Sequence, residues 1–244
     1  MEYKETNPCT ALAPYIHSFW ELKGDDHDRQ WERNFPDGCP GLVLNVGDSC
    51  STDNGTVVMD FGKTYVVGAM TSFKDSFIDG DTHLFGVCLK PGVFYNFYNY
   101  TSQNELANKT VQLEKPHSFE LDKFLKSPVY YLNAFFTDRL QNRNGLLQSI
   151  MDDIHQSNGQ ISIKKLAERK AISIRQLERK FRTHIGITPK EYANIVRFQH
   201  ALTLIKNSDK KRSLLDIAFA CGYYDHAHLT NEIKRNTGLS PSQF

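Results

Sequence analysis

Residues Ile161–Gly238 run through one local pattern twice, and that repetition confines the C-terminal third of the chain to a compact all-helical unit. The first copy reads ISIKKLAERKAISIRQLERKFRTHIG and the second SLLDIAFACGYYDHAHLTNEIKRNTG. Each is a short helix, a tight turn, then a helix with a polar outward face. In the first copy Ser162 is placed to cap a helix from Ile163 to Lys170. Ala171-Ile172-Ser173 then makes a break, and Ser173 caps a helix from Ile174 to about His184. Ile174, Leu177 and Phe181 fall three and four apart, which predicts a shared buried face. In the second copy Ser213 caps Leu214–Cys221, with Asp216 at the N3 position of a capping box. Gly222 suits a left-handed helix exit. Asp225 caps a helix from His226 to about Asn236, whose buried pair is Leu229 and Ile233.

Between the copies, Pro189 sits at a helix start and Lys190–Asn207 forms a connector. Tyr192, Ile195, Val196, Phe198, Ala201, Leu202 and Ile205 make its apolar stripe so wide that it is expected to pack against both units. Such a connector fixes the relative orientation of the two outward faces. The first face carries Arg175, Gln176, Arg179 and Thr183, flanked by Glu178, Lys180 and Arg182. Arg can donate two hydrogen bonds to guanine, Gln can pair with adenine and Glu can accept from cytosine. Lys180 and Arg182 suit phosphate contacts, which set register rather than sequence preference. On the second face stand His226, Ala227, Thr230 and Asn231, with Lys234 and Arg235 within phosphate reach. The two second helices begin about fifty residues apart, so two such helix-turn-helix units on one chain can enter successive major-groove turns, about 34 Å apart.

Charge follows the same division. Residues 151–244 hold 16 Lys and Arg against 9 Asp and Glu, a net of +7, whereas residues 1–150 hold 13 against 19, a net of −6. A basic half joined to an acidic one fits polyanion binding through one half only. Residues 1–115 read as short strands and turns, which suggests a small barrel or sandwich. The strand candidates are Tyr15–Leu22, Leu42–Val46, Thr64–Gly68 and Leu84–Leu89, with Phe35–Gly41 and Gly47–Gly55 as turn segments. Helical periodicity is expected around Val93–Tyr100, and a short helix behind a polar start at Gln103–Asn108. From Ser118 the chain reads as helices ending at Pro128, then Val129–Leu140, then Leu146 to about Ser157, with Gln141–Gly145 between the last two.

No catalytic constellation stands out. His17, His27, His83 and His117 are separated from one another and from any acidic cluster, which favours ordinary hydrogen-bonded histidines over a metal site. Trp20, Trp31, Phe19, Phe35 and Phe85 fit either a core or an apolar ligand pocket. The five cysteines (Cys9, Cys39, Cys50, Cys88 and Cys221) are scattered with no C-x-x-C pair, so neither a zinc site nor a disulfide framework is expected. Reduced thiols point to the cytoplasm. No apolar run approaches the ~18 residues of a membrane span, and MEYKETNPCT lacks the features of a secretory signal.

Residues 161–244 resemble the DNA-binding domain of the AraC/XylS family of bacterial transcription regulators. SIRQLERKF with GITP, VRFQHALTLI, and DIAFACGYYDHAHLTNEIKRNTGLSP (Asp216–Pro241) carry the likeness. LAPYIHSFWEL, FPDGCPGLVLN, VVGAM and GVCLKPG resemble the β-rich N-terminal domain of some members. The resemblance implies an α+β chain. A cupin-like sensor domain over 1–115 is followed by a helical linker or dimerisation segment over 116–157, then the DNA-binding domain over 158–244. Within the last, the units fall at about 162–185 and 213–237, with the connector at 190–207. Implied partners are double-stranded DNA, a small-molecule effector, RNA polymerase and a second copy of the chain, with no cofactor, no metal and no enzymatic activity. This chain departs from the family at Asn231, where Arg is frequent, and at Ile233, where Phe is frequent; His226 and His228 are also unusual. The second unit is therefore expected to contribute less base specificity than the first. Two alternatives stay open: a DNA-repair methyltransferase fused to the same domain, and a regulator acting through protein contacts only. The first needs a four-cysteine zinc cluster, for which Cys9, Cys39 and Cys50 are too few and too widely spaced.

Overall fold

The computed structural model describes residues 1–25, 27, 29–98, 102–141, 145–207 and 212–244. Ten strands come first: β1 (Glu2–Thr6), β2 (Ile16–Lys23), β3 (Arg29–Asn34), β4 (Gly41–Asn45), β5 (Cys50–Thr52), β6 (Val57–Met59), β7 (Thr64–Val67), β8 (Lys74–Asp79), β9 (His83–Leu89) and β10 (Thr110–Gln112). Six make an antiparallel sheet in the order β1-β2-β9-β4-β7-β10, and β3-β8 and β5-β6 form two-stranded sheets. The large sheet ends at β1 and β10 without closing, so the domain is a sandwich rather than a closed barrel. Period-two alternation sorts its side chains. Phe19, Leu42, Leu44, Val66, Val87 and Leu89 enter one core, and Trp20, Val43, Tyr65, Val67 and Leu84 face the other way.

The first core is closed by helices α2 (Leu121–Lys126) and α3 (Pro128–Arg139), which bring Phe124, Leu132, Phe135 and Phe136. The preceding helix ends just before Pro128, as expected, and Pro128 itself opens α3 at its first position, where a missing N–H costs nothing. Helix α4 (Gly145–Gln156) sends Leu147, Ile150, Met151 and Ile154 into a different core, shared with the first helical repeat. The stretch 116–157, expected as a helical linker or dimerisation segment, sends its helices into two cores.

The repeats fold as α5 (Ile163–Arg169) with α6 (Ile174–His184), and α8 (Leu214–Ala220) with α9 (His226–Thr237). The connector is α7 (Pro189–Lys206). Tyr192, Ala193, Ile195 and Val196 of α7 join the core of the first unit, and Phe198, Ala201, Leu202 and Ile205 join that of the second. One helix therefore serves both cores, as its stripe predicts. Thr188 and Glu191 cap α7 through a reciprocal pair of bonds.

Several expectations need correction. Strand β5 lies inside Gly47–Gly55, which reads as a polar turn. Strands β3 (RQWERN) and β8 (KDSFID) are too polar to stand out, yet they pair along their length from Arg29 opposite Asp79 to Asn34 opposite Lys74. Val93–Tyr100 forms only a 3-10 turn at Phe94–Asn96, its last two residues lying outside the described residues, whereas Gln103–Leu106 is the short helix expected there, α1. Residues 142–144 of the expected Gln141–Gly145 break are also outside the described residues.

Candidate nucleic-acid interface

Each outward helix is aimed by its cap. Ser173 accepts from the Gln176 N–H at 3.2 Å, and Gln176 Oε1 accepts from the Ser173 N–H at 2.9 Å. Leu177 and Phe181 are fully buried beneath α6. Ile174, expected beside them, is 46% exposed, because it sits in the first turn beyond the reach of the core. Arg175, Gln176, Glu178, Arg179, Arg182 and Thr183 lie along one shallow surface depression with Ser173, whereas Lys180 is half-buried on the flank. The capping box engages one lone pair of Gln176 Oε1 and turns that oxygen toward the Ser173 N–H, whereas a bidentate adenine contact uses the oxygen and the NH2 together.

Asp225 caps α9, accepting from the His228 N–H at 2.7 Å. Leu229 and Ile233 are fully buried, and Gly238 ends the helix in the left-handed region at φ 71°. His226, Ala227, Asn231 and Lys234 are exposed, and Thr230 is half-buried. Arg235 is exposed but its Nη1 lies 2.9 Å from Glu232 Oε1. The second face thus has one fewer unengaged cation than its sequence suggests. Helices α5 and α8 carry their own caps, Ser162 and Ser213, the latter in the expected box with Asp216. Asp216, bonded by Ser213, holds its carboxyl below the usual range.

The sandwich grips both outward helices by their C-terminal ends and leaves their N-terminal faces open. At α6, His184 packs edge-on against Tyr95 at 5.0 Å, and Gly186 lies so close to the Gln103 carbonyl of α1 that a Cβ would come within 2.6 Å of it. At α9, Arg33 Nη1 donates to the Thr237 carbonyl at 3.0 Å while the same guanidinium makes two bonds to Asp75, at 2.7 and 2.8 Å. Burial, with Lys180 second, pushes His184 below the usual imidazole range.

A cavity of about 220 Å³ opens between the large sheet and the two small ones. Apolar Trp20, Val43, Met59, Met70 and Leu84 line it, together with a buried ion pair in which Lys74 Nζ lies 2.6 Å from Asp53 Oδ2. Of the five aromatics singled out in the sequence, only Trp20 reaches this cavity. Phe19 is core, Trp31 is half-exposed, Phe35 packs on Phe244 at 5.9 Å, and Phe85 packs on Phe124 at 4.9 Å. His83 bonds Glu21 at 2.9 Å, and among the described residues no histidine joins a cluster of metal-ligating groups.

Paired capped helices on one connector define a double helix-turn-helix domain. Residues 166–244 match the family model described as a helix-turn-helix domain, and residues 4–112 match one described as a domain of unknown function. The chain is similar to the HTH-type transcriptional activator RhaS of Escherichia fergusonii, at 37% identity over 83 residues, 34% of this chain and 29% of the relative. RhaS of Enterobacter sp. (strain 638) matches at 27% identity over 143 residues, 58% of this chain and 50% of the relative. This chain therefore spans half or less of the length of these two relatives. The unsaturated fatty acid bound structure of ToxT from Vibrio cholerae strain SCE256 shares the overall fold, with a TM-score of 0.52 at 11% identity over 92% of each chain. The C-terminal third is an AraC/XylS-type helix-turn-helix domain, set behind a β-rich N-terminal domain.

Proposed function

We propose that the protein is a sequence-specific DNA-binding transcription regulator, not an enzyme, whose N-terminal domain responds to a small effector. One observation carries the DNA reading: two capped helices with buried undersides present Arg175 and Arg179, and His226 and Asn231, to solvent from a single connector that belongs to both cores. Residues 158–244 form the reader on this view. Arg175, Gln176, Glu178, Arg179 and Thr183 read bases with His226, Ala227, Thr230 and Asn231, while Lys180, Arg182, Lys234 and Arg235 hold phosphates. The methyltransferase alternative loses ground. Among the described residues Cys39 and Cys88 come together, but no four-cysteine cluster exists.

The effector reading is supported by the cavity beside Lys74 and Asp53 and by the like-folded ToxT, which has been captured with an unsaturated fatty acid. Typical ligand pockets run ~300–1,000 Å³. A cavity of about 220 Å³ therefore suits a compact effector better than a long acyl chain. Further partners on this reading are RNA polymerase, through the second unit, and a second copy of the chain.

Arg179→Ala should weaken operator binding by roughly 1–3 kcal/mol and relax preference at one base position. Asn231→Ala should cost less, because the second face is poorer in free cations. Binding isotherms on one operator compare the two, and a larger loss for Asn231→Ala would contradict the ranking. Arg182→Ala should weaken all sequences alike and lower the salt slope by about one. A changed sequence preference in that variant would show that the phosphate and base faces are misassigned.

A further inference from the structure

We infer that Asp37, Cys39 and Cys88 form a binding site for one thiophilic divalent metal ion of the zinc class, on the loop that docks the connector helix. The Asp37 carboxylate and the Cys39 and Cys88 sulfurs offer three ligand atoms, all within 4.8 Å of one another. Tetrahedral zinc with bonds of ~2.0–2.3 Å sets its ligand atoms roughly 3.5 Å apart, so closure needs a movement of about 1 Å. The ligands are held in complementary ways. Cys88 stands on β9, where it is opposite Gly41 of β4 on one side and Ser18 of β2 on the other. Asp37 and Cys39 share a tight turn in which Asp37 Oδ1 accepts from the Cys39 N–H at 2.9 Å, with Gly38 at φ 73° between them.

The group lacks a counter-charge of its own. Asp37 takes part in no ion pair among the described residues, although it lies beside two thiols. Metal ions bind cysteine as thiolate, so uptake here would release the two thiol protons and set the cation's charge against the carboxylate and thiolates. A disulfide would employ the two sulfurs and leave the carboxylate without a role. All three residues also line the N-terminal cavity, so a fourth coordination position faces that space, as in zinc sites that keep one position for water or a ligand.

The same loop touches the DNA-binding domain. Pro36 accepts a hydrogen bond from Gln199 Nε2 at 2.5 Å, and a Cβ on Gly38 would lie 2.7 Å from the Tyr192 ring; Gln199 and Tyr192 both belong to α7. Contraction around a metal would pull on this contact, and with it on the helix that orients both units. That coupling rests on the DNA reading proposed above, whereas the site itself does not.

Titration of the reduced full-length protein with Zn2+ against a chromophoric chelator, and with Co2+ followed by thiolate-to-metal absorption, tests the site. The expected result is about one equivalent bound. Cys39→Ser and Cys88→Ser should each lower affinity by at least the ~10–100-fold that loss of an outer-shell partner costs. Asp37→Asn should weaken binding but keep the thiolate absorption, and Cys9→Ser, at an exposed thiol outside the group, should change nothing. Circular dichroism checks the fold of each variant, and Asp37→Asn, at the exposed rim, carries the test if Cys88→Ser does not fold. No uptake by the full chain, uptake indifferent to both cysteine variants, or a Cys39–Cys88 disulfide in a protein that takes up no metal when reduced would each overturn the site. Metal uptake with this pattern but no change in operator affinity overturns the coupling alone. Failure to bind DNA at all strikes the regulator reading and leaves the metal site standing.

Discussion

Lys74→Met is expected to destabilise the N-terminal domain by about 3–5 kcal/mol, the usual cost of stripping one partner from a buried ion pair. Lys74 Nζ lies 2.6 Å from Asp53 Oδ2, and the two side chains keep only 10% and 11% of their surface. Thr110 adds its hydroxyl to Asp53 Oδ1 at 2.8 Å and its N–H to Oδ2 at 3.1 Å. Asp53 therefore ties β8 to β10 from the turn after β5, in a left-handed conformation at φ 51°. Without Lys74 its carboxylate is left buried with Thr110 alone. Chemical denaturation measures the loss. The double variant Asp53→Asn, Lys74→Met should be more stable than Lys74→Met, since it leaves no uncompensated charge. A single-variant loss under ~1 kcal/mol would mean that water screens the pair as it does at a surface.

Phe198→Ala should cost about 3–5 kcal/mol and act on one unit more than the other. Phe198 is fully buried on α7, two residues beyond Val196, the last of those that serve the first unit, and it packs in the core formed with Ile217, Leu229 and Ile233. Its loss leaves a cavity under α8 and α9, while Tyr192, Ile195 and Val196 still fill the first core. Amide hydrogen exchange should show protection falling first in α8 and α9. Equal loss in α5 and α6 would show that the connector transmits the defect and that the two cores unfold as one.

The C-terminal third was legible because its instructions are local. Ser162, Ser173, Ser213 and Asp225 each cap the helix that follows them, and a cap needs only the next three residues. Where the prediction slipped, at Ile174, the cause was tertiary: periodicity assigns a face but not how far the neighbouring core extends. Gln176 is a related case, since its side-chain oxygen already caps the helix and its amide NH2 is the part left to meet a base.

In the sandwich, β4 and β9 were visible as apolar runs buried in the sheet centre. Strands β3 and β8 are held mainly by pairing with each other, so little in their side chains marks them. The Asp37–Cys39–Cys88 group has no sequence signal either. Cys39 and Cys88 are far apart in the chain, and only the pairing of β4 with β9 brings them together. The cavity likewise depends on how two small sheets cover a large one, which explains why Trp20 lines it and Trp31 does not.

Selection of bound sequences from a random duplex pool, with the full chain at low and at physiological salt, tests the central claim most directly. A bipartite reader predicts two enriched blocks with centres ~10–10.5 bp apart, the block assigned to α6 being the more sharply defined. Arg179→Ala should blur that block and spare the other. Failure to retain DNA even at low salt, where phosphate attraction is strongest, or enrichment of a single block unaffected by Arg179→Ala, would contradict it.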